Sequence, residues 1–320
     1  MTTVGVIGVG SMGENHARVL SELQAAELVG VADVDSHQAA SVANTYGTQA
    51  LSPEDVIAAA EAVVVAVPTV HHYPVAMDCI AADTHVLVEK PFVADPAEGR
   101  ELIRLAQEAN LVLQVGHIER YNPAIDALME FVDPEEVVAL SANRLGPPVE
   151  RGLTDDVVTD LMIHDIDVIL ALMDDMPLSV SGLFGRDGRY ASVLLEFSDD
   201  VVGTLTASRV TQRKIRSLEV TTADRLYSVD YLDQSVRIHR RSRPSYAEAE
   251  SDVRYRHESV IERPLIQSAE PLKLELESFL EAIESGRAPR VTGVDGLQAL
   301  SVVWSLTQQK ADQALEVPPS

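Results

Sequence analysis

The sequence contains a single cysteine, only four lysines and no apolar run near twenty residues. Because Cys79 is alone, an internal disulfide is excluded. The lack of a long apolar run argues against a transmembrane helix, and the N-terminus has no signal-peptide pattern. These absences predict a soluble, cytoplasmic, globular protein. Its 320 residues are enough for two domains, each with its own core.

Positive charge is also scarce. Asp and Glu number 50 against 25 Lys and Arg, which gives a net charge of -25. The acidic residues are distributed along the chain and do not form a tail. An acidic excess with few lysines is typical of cytosolic proteins from extreme halophiles, in which salt screens the repulsion. An ordinary acidic enzyme is the alternative, and both interpretations argue against nucleic acid as a partner.

The N-terminal residues present a dinucleotide-binding pattern. The apolar, β-branched run Val4–Ile7 predicts a buried parallel strand. A G-x-G-x-x-G follows, and its glycines permit a tight turn, close approach of a pyrophosphate and close packing of the next helix. Asp33 ends the next strand, where a ribose-binding acid is expected. A tight strand–helix turn that binds no ligand would explain the glycines but not Asp33. The predicted NAD-binding residues of this region are Gly8, Gly10, Ser11, Met12, Gly13 and Asp33.

Strands and helices alternate over the first 120 residues. Further strands are predicted over 62–67, 84–88 and 111–115, and helices over 36–46 and 70–81. Ser52 and Asp95 are expected to cap two more helices. The alternation predicts a doubly wound parallel sheet, a Rossmann domain over 1–120. Ligands bind at the carboxyl ends of such strands. The residues found there are Pro68, Thr69, Glu89, Lys90, Pro91 and His117.

A different pattern begins near residue 121. A strand over 137–144 and closely spaced runs at 178–185, 189–197, 201–209, 216–222, 225–231 and 234–239 predict a large, open-faced, mostly antiparallel sheet. With its helices it forms an α/β substrate-binding and oligomerisation domain over 121–320. Alternating apolar residues over 192–197 and 202–207 predict an apolar sheet face and hence dimers or tetramers.

The end of the chain contains one polar segment and two helices. Residues 240–270 are interpreted as an ordered lid or a disordered excursion, and their arginines include Arg240, Arg241 and Arg243. Helices are predicted over 272–285 and 295–309, and these are candidates to pack back on the first domain.

Lys90 is the first candidate for chemistry. It follows an apolar strand, where a lone ammonium loses hydration and therefore needs a function. An ion pair with Glu89 at the rim of the sheet is the structural alternative.

A predicted helix over 156–173 supplies a second candidate. It is apolar nearly all round and should be buried, yet it carries a polar stripe of Asp156, Asp160, His164 and Asp167. Asp160 is placed to orient the imidazole of His164 and raise its pKa. The alternative is that Asp160 and His164 form a hydrogen-bonded pair in the core without a catalytic role. No zinc-type spacing occurs, so no metal is expected.

The third candidate is a basic cluster in the acid-rich second half of the chain. Its members are Arg209, Arg213, Lys214 and Arg216. Guanidinium geometry suits a diphosphate, although scattered surface charge is the usual role of arginine.

Together these segments resemble the glucose–fructose oxidoreductase / inositol dehydrogenase (Gfo/Idh/MocA) family. The matching segments are GVGSMG at 8–13, ADVD at 32–35, VPTVHHYPVA at 67–76, HVLVEKP at 85–91, DLMIHDID at 160–167 and EPLKLELESFL at 270–280. The resemblance implies an NAD-dependent dehydrogenase that transfers hydride from a hydroxyl-bearing carbon of a sugar. It also implies that Lys90, Asp160 and His164 surround the reacting carbon. Further NAD contacts are implied for Pro68, Thr69, His72, Glu89 and Lys90.

The proton acceptor is either His164, oriented by Asp160, or Lys90. In the first case Lys90 would stabilise the developing alkoxide. Three other activities stay open: a dehydrogenase of a free sugar or inositol, an NAD-dependent glycosidase, and a non-catalytic NAD(H) sensor. The sensor would have no use for these three side chains.

Two segments resemble the branch of the family that oxidises UDP-N-acetylglucosamine. They are VGHIERYNPA at 115–124 and KIR at 214–216. This likeness implies a UDP-linked sugar as the substrate. The implied substrate-binding residues are Lys90, His117, Arg120, Asp160, His164, Arg209, Lys214 and Arg216.

Overall fold

The computed structural model describes residues 1–148, 156–240, 245–249, 252–256 and 260–316. Contacts within the chain define two compact units. Unit 1 comprises Met1–Tyr121 and Ala269–Trp304, and unit 2 comprises Asn122–Ser268 and Ser305–Ser320. Among the described residues, no helix has both the length and the apolar character that crossing a bilayer requires.

Unit 1 contains a parallel sheet with the strand order β2-β1-β3-β4-β5. The strands are β1 (Thr2–Ile7), β2 (Ala26–Ala32), β3 (Ala62–Val65), β4 (His85–Glu89) and β5 (Leu113–Gly116). The helices between them are α1 (Ser11–Glu22), α2 (Ser36–Tyr46), α3 (Pro53–Ala59), α4 (His72–Ala81) and α5 (Pro96–Glu108). The predicted doubly wound sheet is confirmed, and its strand order reverses at β1, where such sheets bind ligands.

Helix caps and strand alternation explain the local structure of unit 1. Ser52 accepts a hydrogen bond from the Asp55 amide at the start of α3, and Asp95 with Glu98 forms a capping box on α5. Successive residues of β3 point to opposite faces of the sheet. Ala62 and Val64 join the core formed with α1, α2 and α8 (Pro271–Ser285), while Val63 and Val65 join the core under α3, α4 and α5.

Unit 2 contains an eight-stranded sheet. Its order is β15-β12-β11-β10-β6-β9-β8-β7. The strands are β6 (Val137–Leu145), β7 (Ser179–Phe184), β8 (Tyr190–Glu196), β9 (Val202–Ser208), β10 (Ile215–Thr222), β11 (Arg225–Asp230), β12 (Ser235–Arg240) and β15 (Val260–Glu262). Helix α6 (Pro123–Phe131) packs on β11 and β12, and α7 (Ile163–Met173) packs on β6. Every pairing is antiparallel except β6 with β9, which confirms the predicted mostly antiparallel sheet.

The helix predicted over 156–173 does not form as one regular α-helix. A π-helical turn occupies Val158–Met162, and α7 begins only at Ile163. A π-turn contains more residues per turn than an α-helix. The Ile163 amide bonds to the Val158 carbonyl, five residues earlier, so the expected four-residue spacing is altered between Asp160 and His164.

The prediction of an exposed apolar face on this sheet is also wrong. The apolar residues of the two alternating runs are buried within the unit, among them Val193, Leu195, Phe197, Leu205 and Ala207. The opposite face is mainly polar, and one row across it consists of Ser181, Leu194, Thr204, Ser141, Glu219, Ser228 and Arg237. The apolar alternation therefore marks the core of unit 2.

The segment 240–270 contains strands that the sequence did not predict. Strands β13 (Ser245–Ala249) and β14 (Asp252–Arg256) pair as an antiparallel hairpin, and β15 extends the large sheet beside β12. Arg241 and Arg243 lie outside the described residues. The expectation of a lid or a disordered segment stays a prediction for 241–244, 250–251 and 257–259, which also lie outside them.

The edge strand β7 is covered by side chains of helix α9 (Gly293–Glu316). Gln309 accepts a hydrogen bond from the Gly182 amide and donates one to the Val180 carbonyl, and Gln313 donates to the Gly182 carbonyl. These amides take the place of a neighbouring strand. They satisfy backbone polar groups of β7 that would otherwise be available to pair with a strand of another chain.

Candidate active site

The glycine-rich loop has the geometry that a diphosphate site needs. Gly8 has a φ of +87°, and a Cβ there would lie 2.6 Å from the Val67 nitrogen. A Cβ on Gly13 would lie 1.8 Å from the Gly8 carbonyl oxygen, whereas a Cβ on Gly10 would meet nothing within 4 Å. Space is thus left open beside Gly10, at the N-terminal end of α1, where backbone amides and the helix dipole favour an anion.

Asp33 holds this loop from the end of β2. Its Oδ2 accepts a hydrogen bond of 2.8 Å from the Val9 amide, and its Oδ1 accepts one of 2.9 Å from the Asp35 amide. Gln38 donates to the Val9 carbonyl at 2.9 Å. Val9 is therefore fixed through both of its backbone polar groups. Sequence reasoning identified Asp33 but missed Gln38, because no motif assigns that position.

A cavity of about 590 Å³ connects these elements. Its lining includes Gly8, Gly10, Asp33, Pro68 and His71. Val34 contributes an exposed apolar side chain to the same cavity. Glycines for the diphosphate, a carboxylate for the ribose and an apolar wall for the base together suit a dinucleotide. Ser11 and Met12 are exposed at the start of α1, and Thr69 begins the turn that leads to α4.

The carboxyl end of β4 carries Glu89 and Lys90. Lys90 is half-buried, and a cis peptide bond joins it to Pro91. Glu89 is buried and accepts hydrogen bonds from His16 and from the Lys90 amide. The expected contact between Glu89 and NAD stays a prediction, because the structure shows this carboxylate bonded to the protein itself.

His72 is buried among backbone carbonyls. Its Nδ1 lies 2.8 Å from the Pro91 oxygen and its Nε2 lies 2.8 Å from the Val67 oxygen. Burial lowers the pKa of this imidazole, and the hydrogen bonds to the carbonyls partly oppose that change. His72 thus joins the residues after β3 to those after β4. A direct contact with NAD stays a prediction.

The residues after β5 include two predicted substrate ligands. His117 is fully buried, and its backbone amide donates to the Val115 carbonyl. Arg120 is half-buried and lies 3.9 Å from Asp295 in an ion pair. Their proposed contacts with substrate remain predictions.

In unit 2, the π-helical turn places Asp160 beside an arginine. Arg209, in the loop after β9, donates to Asp160 and forms an ion pair with it. Arg209 is 8% exposed, and its backbone amide donates to the Arg189 carbonyl. His164 follows in the first turn of α7 and is half-buried. The sequence predicted roles for Asp160 and Arg209 separately and did not predict their pairing.

Another ion pair, which is buried, lies at the same end of the unit 2 sheet. Arg144, near the end of β6, donates to both carboxylate oxygens of Asp165 at 2.7 and 2.8 Å. The guanidinium also lies 5.2 Å from the ring centroid of Tyr231. Sequence reasoning missed this group. Asp165, beside His164 in the helical pattern, was the one available signal.

The other basic residues of the cluster differ in environment. Arg213 and Lys214 are exposed in the loop between β9 and β10. Arg216 is half-buried and donates to the carbonyls of Leu145 and Ile215. The cluster therefore contains one residue paired with Asp160, one bonded to strand ends and two exposed cations.

The candidate residues are distributed over both units. Unit 1 brings together the glycine-rich loop, Asp33 and Pro68 around one cavity, and it also contains Lys90. Unit 2 contains Asp160, His164 and the basic cluster. Asp156, the first residue of the predicted stripe, bonds to Lys310 and to the amides of Val158 and Thr159.

Two family models match the chain. An oxidoreductase family with an NAD-binding Rossmann fold matches residues 2–117, and the GFO/IDH/MocA C-terminal domain matches residues 130–225.

Individual relatives match almost the whole chain. The UDP-N-acetylglucosamine 3-dehydrogenase of Acidithiobacillus ferrooxidans is 34% identical over 93% of both chains. A solved structure of that enzyme superposes with a TM-score of 0.86 at 33% identity, covering 95% of this chain and 96% of the other. The inositol 2-dehydrogenase of Rhizobium meliloti is 25% identical over 97% of both chains.

Proposed function

Because the chain belongs to the Gfo/Idh/MocA oxidoreductase family, we propose that it is an NAD-dependent dehydrogenase that oxidises carbon 3 of UDP-N-acetylglucosamine. The chain binds NAD through its Rossmann fold. The observation that carries the choice of substrate is the 34% identity with a UDP-N-acetylglucosamine 3-dehydrogenase over 93% of both chains, compared with 25% for a full-length inositol dehydrogenase.

The residues of unit 1 would hold the cofactor in a defined way. The loop from Gly8 to Gly13 would take the diphosphate on its amides, and Asp33 would accept hydrogen bonds from the adenosine ribose. Asp33 would also repel the 2′-phosphate of NADP, and no arginine directly follows it to offset that repulsion. NAD supplies the hydride acceptor when it is bound.

The catalytic residues act on the hydroxyl that becomes a ketone. His164 takes the hydroxyl proton, and Asp160 orients its imidazole. Lys90 donates a hydrogen bond to the same oxygen and stabilises the charge that develops as hydride leaves the carbon. In the converse assignment, Lys90 takes the hydroxyl proton and His164 donates a hydrogen bond to the oxygen.

The exposed cations of the loop between β9 and β10 support a diphosphate-linked substrate. A free polyol needs hydrogen-bonding groups but no cations. Arg213 and Lys214 offer positive charge in a chain with a net charge of -25. Charge-assisted contacts of this kind contribute about 1.5–3 kcal/mol each.

The test is a substrate panel. Purified protein in molar KCl is mixed with NAD and, separately, with UDP-N-acetylglucosamine, N-acetylglucosamine, glucose and myo-inositol. We expect NADH absorbance with the UDP-sugar alone, together with a keto-sugar product. If inositol or glucose reduces NAD while the UDP-sugar neither does so nor shifts the melting curve, the proposed substrate is wrong. Release of free sugar without net NADH would identify an NAD-dependent glycosidase.

A variant pair tests the role of the loop. Lys214→Ala should raise the KM for UDP-N-acetylglucosamine and leave the KM for NAD unchanged. Arg263→Ala, which removes an exposed cation from the segment after β15 in the same unit, is the matched control. Lys214 is a cleaner choice than Arg216, whose guanidinium also bonds two strand carbonyls. Equal effects of the two variants would count against a diphosphate contact.

We also propose that the protein forms dimers or tetramers through the polar face of the unit 2 sheet. Leu183, Leu194 and Val202 are exposed on that face among serines and threonines. A second copy of the chain would cover these side chains. Light scattering in high salt should give a multiple of 34.7 kDa, and a monomer mass would exclude this assembly.

A further inference from the structure

A buried histidine joins the glycine-loop helix to the strand that carries Lys90. His16 lies in α1, three residues after the last loop glycine, and is 0% exposed. Its Nε2 lies 2.7 Å from Oε1 of Glu89, which is 6% exposed at the end of β4. The other oxygen of Glu89 accepts a hydrogen bond of 3.1 Å from the Lys90 amide. One carboxylate therefore connects His16 to the backbone of Lys90.

The packing around this carboxylate leaves it little freedom. Gly116 faces Glu89 across the pairing of β4 and β5. A Cβ on Gly116 would lie 3.1 Å from both Cδ and Oε2 of Glu89. Glycine at this position thus leaves the space that the carboxylate occupies. Glu275 of α8 is also fully buried, and it presents a carboxylate oxygen within 4.8 Å of His16 and Glu89 ligand atoms.

The electrostatics favour a charged Glu89. Burial by itself would raise the pKa of this carboxyl. The hydrogen bond and charge of His16, together with the charge and amide of Lys90, hold the pKa below its usual value. A buried carboxylate with these partners is costly to leave unpaired, because its desolvation is then uncompensated. Removal of the His16 imidazole should therefore change the position of Glu89.

We propose that His16 is a positioning residue that acts through Glu89 to hold Lys90 in place. The idea rests on the proposed function only for the catalytic role of Lys90. Since α1 begins at the glycine-rich loop, the same link joins the diphosphate end of the cofactor site to the catalytic lysine. Neither His16 nor Glu89 needs to touch the substrate for this to work.

The first test observes Lys90 without any substrate. The chain has only four lysines, so protein labelled with ¹³C-lysine gives four ε-methylene NMR signals, and Lys90→Met identifies that of Lys90 by its loss. His16→Met should shift or broaden the Lys90 signal and leave those of Lys214, Lys273 and Lys310 in place. His16→Gln, which retains a donor near the position of Nε2, should restore it.

Two further variants control for folding. Val19→Ala removes buried volume from the same helix without touching Glu89, so it should lower the melting temperature and leave the Lys90 signal unchanged. Gly116→Ala should disturb the Lys90 signal although His16 is intact, because the new methyl group displaces Glu89. If His16→Met and Val19→Ala change the four signals alike, the proposal is overturned.

The second test uses turnover. His16→Met should lower kcat by about 10- to 100-fold, the loss expected for a catalytic group displaced by up to about 1 Å, with little change in the KM for the sugar. His16→Gln should recover most of it. If no sugar is oxidised by the unmodified protein, the proposed function fails while the NMR test still decides the role of His16. A stoichiometric divalent metal that is lost in His16→Met would also overturn the proposal, since Nε2 would then be a ligand.

Discussion

Arg209 is paired with Asp160, the carboxylate proposed to orient the imidazole of His164. The arginine lies in the loop after β9, and the aspartate lies in the π-helical turn before α7. Arg209 is 8% exposed, so the guanidinium is largely removed from water and held against the carboxylate. A buried cation in such a pair is expensive to detach. This arrangement favours a positioning role for Arg209 over the diphosphate contact suggested by the sequence.

The two roles of Arg209 separate in steady-state kinetics. Arg209→Ala should lower kcat, because Asp160 loses a partner that fixes its position. A diphosphate contact would instead raise the KM for the UDP-sugar. Arg213→Ala, an exposed neighbour in the same loop, is the control and should affect KM alone. A higher KM with unchanged kcat in Arg209→Ala would favour the original interpretation.

Lys90→Met and His164→Ala should each abolish most turnover. Losses of about 10²–10⁴-fold are expected for groups that move or stabilise a proton in the transition state. NADH binding, followed by fluorescence titration, should be retained because the glycine-rich loop and Asp33 are unchanged. Near-normal turnover in either variant would show that its assigned role is wrong.

Asp33→Ala should weaken NAD binding and reduce the preference of the protein for NAD over NADP. The carboxylate that would repel the 2′-phosphate is lost. The hydrogen bond to the Val9 amide, which holds the glycine-rich loop, is lost as well. Measured KM values should therefore rise strongly for NAD and rise less or fall for NADP. Equal use of both cofactors by the unmodified protein would contradict the role of Asp33.

The Asp156–Lys310 pair should make stability depend on pH. Burial by itself would raise the pKa of Asp156, but the hydrogen bond to Lys310 and those from the Thr159 and Val158 amides lower it. A carboxyl whose pKa is lower in the folded state stabilises the fold fully at a pH above its unfolded pKa, near 3.8. This contribution to the free energy of unfolding is lost as the pH falls through the folded-state pKa.

Lys310→Met should therefore reduce the free energy of unfolding by about 1 kcal/mol near neutral pH. The difference from the unmodified protein should shrink as the pH falls below 3.8. Urea unfolding at several pH values measures this. Lys273→Met is the control, because its pair with Glu277 is exposed and 3.9 Å long. A difference that grows in acid would contradict the assignment.

Thermal stability should rise with salt. The net charge of -25 with only four lysines means that like charges repel across the folded surface. Added KCl screens this repulsion. Melting temperatures recorded from low salt to molar KCl should increase. A flat or falling series would argue for an ordinary acidic enzyme and against the halophile interpretation.

Unit 1 could be predicted from the sequence because its signals are local. The apolar run before Gly8, the caps at Ser52 and Asp95, and the acid at Asp33 each act within a few residues, and the structure has the strands and helices they indicate. The parallel order follows because alternating strands and helices leave few ways to cover both faces of a sheet.

Unit 2 was predictable in its strands but less so in its details. Period-two alternation located the strands, but the same alternation fits a face covered by the unit's own helices or by another molecule. The π-turn at Val158–Met162 was missed because apolar periodicity does not distinguish it from an α-helix.

The sequence by itself determined the family pattern, the dinucleotide loop and the identity of the candidate catalytic residues, since these depend on residue types at fixed spacings. Only the tertiary structure decided the partners of those residues. His16 meets Glu89 across 73 positions, and Arg209 meets Asp160 across 49. Such pairs leave no trace in local periodicity. They arise because packing buries polar groups, and each buried group must then find a partner wherever the fold brings one within reach.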